Sequence, residues 1–160
     1  LQLPPHFSVQ DLNLLSRFLD IFPPQVPLAV EVRHESFFHP TVPAEDFFTL
    51  LQDHNRATVI TDVSGRRDVC HMRLTNGTVL IRFVGNALHP TDYQRIEAWA
   101  TRLKKWLEAG LKEVYFFTHE PDNLLAPELA AFCHKTFSAL IPGVAMRGPV
   151  PVSGRQGTLF

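Results

Sequence analysis

Strand-like and helix-like segments alternate along this chain, and the alternation restricts its fold more than any other feature. The strand patterns are short and apolar: one ends within residues 1–5, and the others cover residues 28–34, 57–63, 79–84 and 114–118. The helical patterns begin near Ser8, Pro43, Thr91 and Pro127. Connections long enough to hold a helix join strands that run parallel in one sheet. We therefore predict an α/β fold, which either a doubly wound sheet or part of a (βα)8 barrel would satisfy.

Local signals mark one helix and one long connection. Thr91 and Gln94 have the spacing of a capping box, which predicts that a helix begins there. Gly110 follows this helix where a left-handed residue is favoured. Residues 66–78 are polar and end in the turn dipeptide Asn76–Gly77. We expect a long connection or a hairpin in that stretch rather than another amphipathic helix.

The composition indicates one globular domain and excludes several function classes. The chain has 160 residues, 45% of them hydrophobic, and a net charge of -1, so direct nucleic-acid binding is not expected. No apolar run approaches the roughly 20 residues that cross a bilayer, and no signal peptide or glycine-rich phosphate loop is visible. Cys70 and Cys133 fit neither a metal motif nor a disulfide framework. We expect a cytoplasmic protein that has no membrane contact and no cofactor.

Charged side chains interrupt the predicted strands near their carboxyl ends. In the strand 28–34, the period of two places Glu31 and Arg33 on one face, although a strand between two layers should be apolar on both faces. The other strands carry comparable groups at the same end, namely Asp62, Arg82, His119 and Glu120. Parallel α/β sheets bind their ligands at this end. The convergence of these groups therefore predicts a site.

Three interpretations of this cluster are open. In the first, it is an enzyme site in which Glu31 or Asp62 is the general acid or base. The anionic or phosphorylated substrate would then be bound by Arg33, Arg82, His34, His119 and Glu120. In the second, the charges only neutralise one another inside a binding or structural module. In the third, the carboxylates and histidines bind a divalent metal, but the spacing is not diagnostic and the nearby arginines would repel a cation, so no metal is expected.

Six short segments resemble, in this order, the DUF72 (YecE-like) family. They are LQLPP at 1–5, AVEVRH with SFF at 29–38, RFVG at 82–85, Trp99–Ala100, YFF at 115–117 and LAPE at 125–128. The resemblance covers the chain to about Leu140 and implies a TIM-type (βα) barrel of uncertain biochemical function. The family pattern usually begins well before its LQLPP-like segment. The resemblance therefore implies that residues 1–141 are the carboxy-terminal portion of such a barrel, a fragment that lacks the first strands.

The chain departs from the family pattern at two places near the predicted site. Val84 stands where an Arg-x-His-Gly motif often has its histidine, and His119–Glu120 stand where the family has paired asparagines. A ligand that needed two amide side chains would meet different chemistry here. The resemblance therefore supports the fold and the site at Glu31, Arg33, Asp62 and Arg82, but it implies no reaction.

The last residues form a separate segment by composition. Residues 142–160 are rich in Pro and Gly and lack acidic side chains, which predicts a flexible tail. The tail ends as Gln-x-x-Leu-Phe, with Gln156, Leu159 and Phe160, and this resembles the short peptides that dock on the bacterial sliding clamp. Such docking would make the protein an accessory of DNA metabolism. The alternatives are that Leu159 and Phe160 pack against their own domain, or that so short a match is a coincidence.

Overall fold

Four parallel strands in the order β1-β2-β3-β4 form the sheet of this protein. The computed structural model describes residues 1–39, 42–143 and 145–146. The strands are β1 (Ala29–Val30), β2 (Ala57–Val63), β3 (Thr78–Val84) and β4 (Glu113–His119). Each strand pairs in parallel with the next one along the chain. The predicted α/β fold is confirmed, and the four strands are half of the eight in a complete (βα)8 barrel.

Helices connect and cover these strands, as the crossover lengths require. They are α1 (Leu12–Ile21), α2 (Val42–Asp53), α3 (Pro90–Glu108) and α4 (Ala126–Leu140). The predicted connection at 66–78 contains only a short 3-10 turn, Arg67–Val69, before β3 begins. Within the described part of the chain, no helix is both long and apolar enough to cross a membrane.

The predicted strand at 28–34 is shorter in the structure, and residues 1–3, which the sequence predicted to end a strand, lie beside it. Only Ala29–Val30 belongs to β1, and Glu31 forms an isolated parallel bridge with Gln2. The backbone N–H of Leu3 donates to the carbonyl of Glu31 at 2.9 Å. The strand pattern ends early because His34 caps a 3-10 turn, with its Nδ1 accepting from the N–H of Ser36 at 3.2 Å. Residues 1–3 therefore extend the sheet beside β1.

The N-cap of helix α3 lies two residues earlier than the capping-box spacing predicted. His89 is the N-cap, and its Nδ1 accepts from the backbone N–H of Thr91 at 3.3 Å. Pro90 takes the first helical position, where its missing N–H costs nothing. The prediction for the other end is confirmed, since Gly110 has φ +107° and follows the helix in the left-handed region.

The two faces of the sheet differ in what covers them. On β3, the side chains of Val79, Ile81 and Phe83 are fully buried in a core formed with α3 and α4. Alternation along the strand places Leu80, Arg82 and Val84 on the opposite face, where they are only partly buried. We call this second face, with its equivalents on the other strands, the inner face. A second core, around α1, α2 and β1, completes the domain.

The isolated polypeptide of these 160 residues should associate with itself through the inner face and the open edge of β4. Tyr115 is 49% and Phe117 55% exposed on that strand. Among the strands that the structure describes, β3 is the only one hydrogen-bonded to β4. We expect binding of a hydrophobic dye and a concentration-dependent mass in light scattering. The double variant Tyr115→Thr, Phe117→Thr should reduce both. A wild-type chain that is monomeric and binds no dye would contradict the expectation.

Candidate functional site

Glu31 is the centre of a polar cluster on the inner face. Its side chain is 8% exposed, and its Oε2 accepts from Nε2 of Gln2 at 2.9 Å. Its Oε1 accepts from Oγ1 of Thr61 at 3.3 Å. Two guanidinium groups face the same Oε1, with Nη1 of Arg82 at 3.5 Å and Nε of Arg33 at 3.8 Å. The structure therefore brings together three of the predicted site residues, Glu31, Arg33 and Arg82.

The two arginines are held loosely and remain accessible. The distances of 3.5 Å and 3.8 Å to Glu31 are at or beyond the limit of a hydrogen bond. The side chain of Arg82 is 30% exposed and that of Arg33 is 40% exposed. Two guanidinium groups face one carboxylate, so the cluster carries a net positive charge and has N–H donors available to a ligand.

Asp62 lies on the other face of the sheet, apart from this cluster. In the register of β2 and β3, Thr61 is opposite Arg82 and Asp62 is opposite Phe83, so Asp62 points toward the helices. There its Oδ2 accepts from Nε1 of Trp99 at 2.7 Å, and its Oδ1 accepts from Nη1 of Arg95 at 2.8 Å and from Arg67. Asp62 is buried. The expected convergence of Asp62 with Glu31 and the two arginines is not what the structure shows.

Arg95 connects Asp62 to the rest of the helix layer, and sequence reasoning missed it. Its Nη2 donates to Asp92 Oδ1 and to the carbonyl of Val84, at 2.8 Å and 2.9 Å. Its guanidinium also lies 4.1 Å from the ring centroid of Phe83. The buried carboxylate of Asp92 in turn accepts from the backbone N–H of Asn86 at 2.7 Å. A polar residue on the sheet-facing stripe of α3 was the signal that could have indicated this network.

Glu120 is buried, where it holds the loop that follows β3. Its carboxylate accepts from the backbone N–H groups of Ala87 at 2.9 Å and Leu88 at 3.4 Å. Both of these residues have positive φ, at 55° and 58°. A side chain at Gly85 would place its Cβ 2.2 Å from Oε1 of Glu120, which is why glycine ends β3. The structure thus engages Glu120 with its own backbone.

The two predicted histidines occupy different positions. His119 is exposed and ends β4 on the inner face, in register with Val84. His34 instead caps the turn after β1, with its Nδ1 2.9 Å from the hydroxyl of Ser36. Among the residues that the structure describes, no group of three or more His, Cys, Asp or Glu side chains could hold a metal ion. The tail residues Gln156, Leu159 and Phe160 lie outside the described residues.

A comparison with models of protein families identifies the family of this chain. The model of "Protein of unknown function DUF72" matches residues 1–151. The chain belongs to the DUF72 family. A search of the curated proteins found no match.

Solved structures of DUF72 proteins share the fold. A DUF72 protein of Enterococcus faecalis V583 is 20% identical, with a TM-score of 0.69 over 86% of this chain and 59% of that protein. A DUF72 protein of Thermotoga maritima MSB8 is 21% identical, with a TM-score of 0.58 over 87% of this chain and 55% of that protein. The chain thus spans less than two thirds of the length of these relatives.

The two departures from the DUF72 pattern have structural counterparts. Val84 lies on the inner face, beside His119 in the register of β3 and β4. The imidazole that the resemblance led us to expect after Phe83 is absent from β3, and His119 is on the neighbouring strand. Glu120, which stands where the family has an asparagine, fills the loop after β3 with a carboxylate.

His71 is a neutral histidine between β2 and α2. Its Nε2 lies 3.1 Å from the carbonyl of Val59, so it donates there, and its Nδ1 accepts from the N–H of Arg73 at 3.5 Å. Its ring packs against the rings of Phe38 and Phe48. Burial lowers the pKa of His71 from 6.5 to about 4, and the nearby Arg73 adds to the shift.

Burial raises the pKa of the Cys70 thiol to about 11 and that of the Cys133 thiol to about 12, so neither thiol is activated.

Replacing Arg95 should destabilise the protein strongly. The variant Arg95→Met leaves the buried carboxylates of Asp62 and Asp92 with fewer donors, and breaking a buried ion pair costs about 3 kcal/mol. The measurement is urea unfolding of the full-length protein. Arg66→Met is the control, because Arg66 pairs with Asp68 on the surface and should leave the midpoint unchanged. Equal midpoints for both variants would contradict a role of Arg95 in stability.

The free energy of unfolding should decrease as the pH is lowered, because His71 titrates. Its pKa is lower in the folded state, about 4 against 6.5, so its contribution is complete above pH 6.5 and is lost as the pH falls toward 4. The loss amounts to at most about 3 kcal/mol. We expect the difference in free energy of unfolding between wild type and His71→Gln to shrink over this range. A difference that stays constant with pH would show that His71 is not responsible.

Proposed function

We propose that the inner face of this DUF72 chain binds a small organic anion that carries a phosphate or carboxylate group, with Arg33 and Arg82 as the anion-binding pair. One observation carries the proposal: both guanidinium groups are accessible and share a single carboxylate, Glu31, at 3.8 Å and 3.5 Å. Guanidinium groups with available N–H donors bind such oxyanions in a bidentate manner.

The surroundings of Glu31 support a role in orienting the two arginines. Gln2 and Thr61 donate to its two oxygens, which keeps the carboxylate in place below the guanidinium groups. The carboxylate therefore restricts the orientations of Arg33 and Arg82. One negative charge does not neutralise both guanidinium groups. An anion that replaces water above them would restore the charge balance of the cluster.

Neighbouring residues extend the surface along which such a ligand would lie. Phe117 is in register with Arg82 on the adjacent strand, about 4.8 Å away in the direction of the strand hydrogen bonds. His119 follows two residues later on the same face, nearer the carboxyl ends of the strands. The anionic group would thus have an apolar ring on one side and an imidazole above it, which is the mixture typical of small-molecule sites.

Proton transfer to or from the ligand falls to Glu31 in this proposal. The sequence left the general acid or base open between Glu31 and Asp62. Asp62 is on the helix side, where Trp99, Arg95 and Arg67 engage it. Glu31 is the carboxylate that faces the anion-binding arginines, and it is within reach of a group bound between them.

A second candidate function is a non-catalytic module in which the same charges only hold the sheet together. The contacts of Glu31 with Gln2 and Thr61 favour it, because they connect the segment before β1 to β2. The two candidates differ in what the loss of Arg82 should change. A ligand site loses affinity, whereas a structural network loses stability alone.

Ligand binding by the full-length protein tests the proposal. Thermal shift with a panel of phosphorylated and carboxylated metabolites identifies ligands, and calorimetry then compares wild type with Arg82→Met. Loss of a charge-assisted contact of about 1.5–3 kcal/mol should weaken binding by roughly 10- to 100-fold. The matched control is Arg17→Met, an exposed arginine on α1, which should bind as wild type does.

Two results would overturn the proposal. One is a ligand that Arg82→Met binds as tightly as the wild type does. The other is a panel without any ligand at millimolar concentration, combined with a lower melting temperature of Arg82→Met. The second result would favour the structural module.

A further inference from the structure

A cavity lined by arginines lies on the helix side of the sheet, away from the inner face. It has a volume of about 110 Å³ and lies between α3 and the connection that follows β2. Its lining consists of Arg67, Met72, Arg95, Ala98, Trp99 and Arg102. Three of these residues are arginines and none is acidic.

The spacing of residues on α3 builds most of this cavity. Positions 95, 98, 99 and 102 follow the i, i+3, i+4, i+7 pattern, so they form one stripe along the helix. The connection after β2 passes beside this stripe and contributes Arg67 and Met72. Two cationic side chains, about two helical turns apart on α3, thus face a third one from the connection.

The carboxylates near the cavity do not neutralise these three arginines. Asp62 has both oxygens engaged by Trp99, Arg95 and Arg67, and Asp92 is paired with Arg95. Arg102 forms no ion pair with any residue that the structure describes, and its guanidinium lies 5.7 Å from the ring centroid of Trp106. The three arginines and the two carboxylates therefore have a net charge of +1.

The three guanidinium groups also differ in how many contacts hold them. Arg95 is held by Asp62, Asp92 and the carbonyl of Val84, so it provides a fixed cationic wall. The side chain of Arg67 is 55% exposed, with Nη1 directed at Asp62, and Arg102 is exposed. Arg102 can therefore turn toward an anion at little cost, and Arg67 can offer a ligand the nitrogens that do not bind Asp62.

We propose that this cavity binds a phosphate group, either as free phosphate or as the terminal phosphate of a larger molecule, between Arg67, Arg95 and Arg102. Its volume of about 110 Å³ suits one such group, and the rest of a larger ligand would extend into solvent. The nonpolar atoms of Met72, Ala98 and Trp99 reduce the local dielectric constant and strengthen the attraction. The site is independent of Arg82, which is on the opposite face of the sheet.

Calorimetry of the full-length protein with inorganic phosphate tests the site, and glycerol phosphate as a second titrant distinguishes a free phosphate from a phosphomonoester. Arg102→Met should weaken phosphate binding at least 10-fold without lowering the melting temperature, since Arg102 has no ion pair among the described residues. Lys104→Met is the matched control, an exposed cation on the same helix, and should bind as wild type does. Arg82→Met should also retain this binding, which separates the site from the one on the inner face.

A second variant tests the cavity by filling it. Ala98→Glu places a carboxylate among the three arginines, so it should abolish phosphate binding and raise the melting temperature. The proposal is overturned if wild-type protein binds neither titrant below about 10 mM, a threshold that corresponds to a very weak complex. It is also overturned if Arg102→Met and Ala98→Glu both bind phosphate with wild-type affinity.

Discussion

The buried carboxylate of Asp62 is the point on which the helix side of this structure depends. It lies at the end of β2 and accepts hydrogen bonds from Trp99 and Arg95 of α3 and from Arg67 of the following connection. A buried charge is tolerated only when its donors are in place. The position of α3 over the sheet, the path of residues 64–77 and the burial of Trp99 are therefore set together. Arg95 extends the same constraint to Asp92 and to the end of β3.

A second set of constraints shapes the carboxyl ends of β3 and β4. The carboxylate of Glu120 accepts hydrogen bonds from the backbone N–H groups of Ala87 and Leu88. The carboxylate of Asp92 accepts one from the backbone N–H of Asn86. Internal carboxylates thus occupy donors that a ligand anion could otherwise use. The proposed anion-binding groups are therefore side chains. They are Arg33 and Arg82 on the inner face and Arg67, Arg95 and Arg102 on the helix side.

Membership of the DUF72 family establishes the fold but assigns no reaction to this chain. The solved relatives are about one fifth identical to it and extend well beyond its length. The inner face, with Tyr115 and Phe117 beside Arg82, is exposed, and the proposed anion site lies on it.

The sequence by itself determined the strand and helix order, the parallel sheet and the charged residues at the strand ends. These follow from local periodicity, which depends only on neighbours within a few residues. Only the tertiary structure decided that Glu31 and Asp62 are on opposite faces, because that depends on the register of β2 against β3 and on which face the helices cover. It also selected the distant partners of the two buried carboxylates, because Arg95 and Trp99 are 33 and 37 residues from Asp62. Ala87 is likewise 33 residues from Glu120. The physical reason is that a buried charge pairs with the donors that tertiary packing brings close to it. The spacing of residues in the sequence does not show which donors these are.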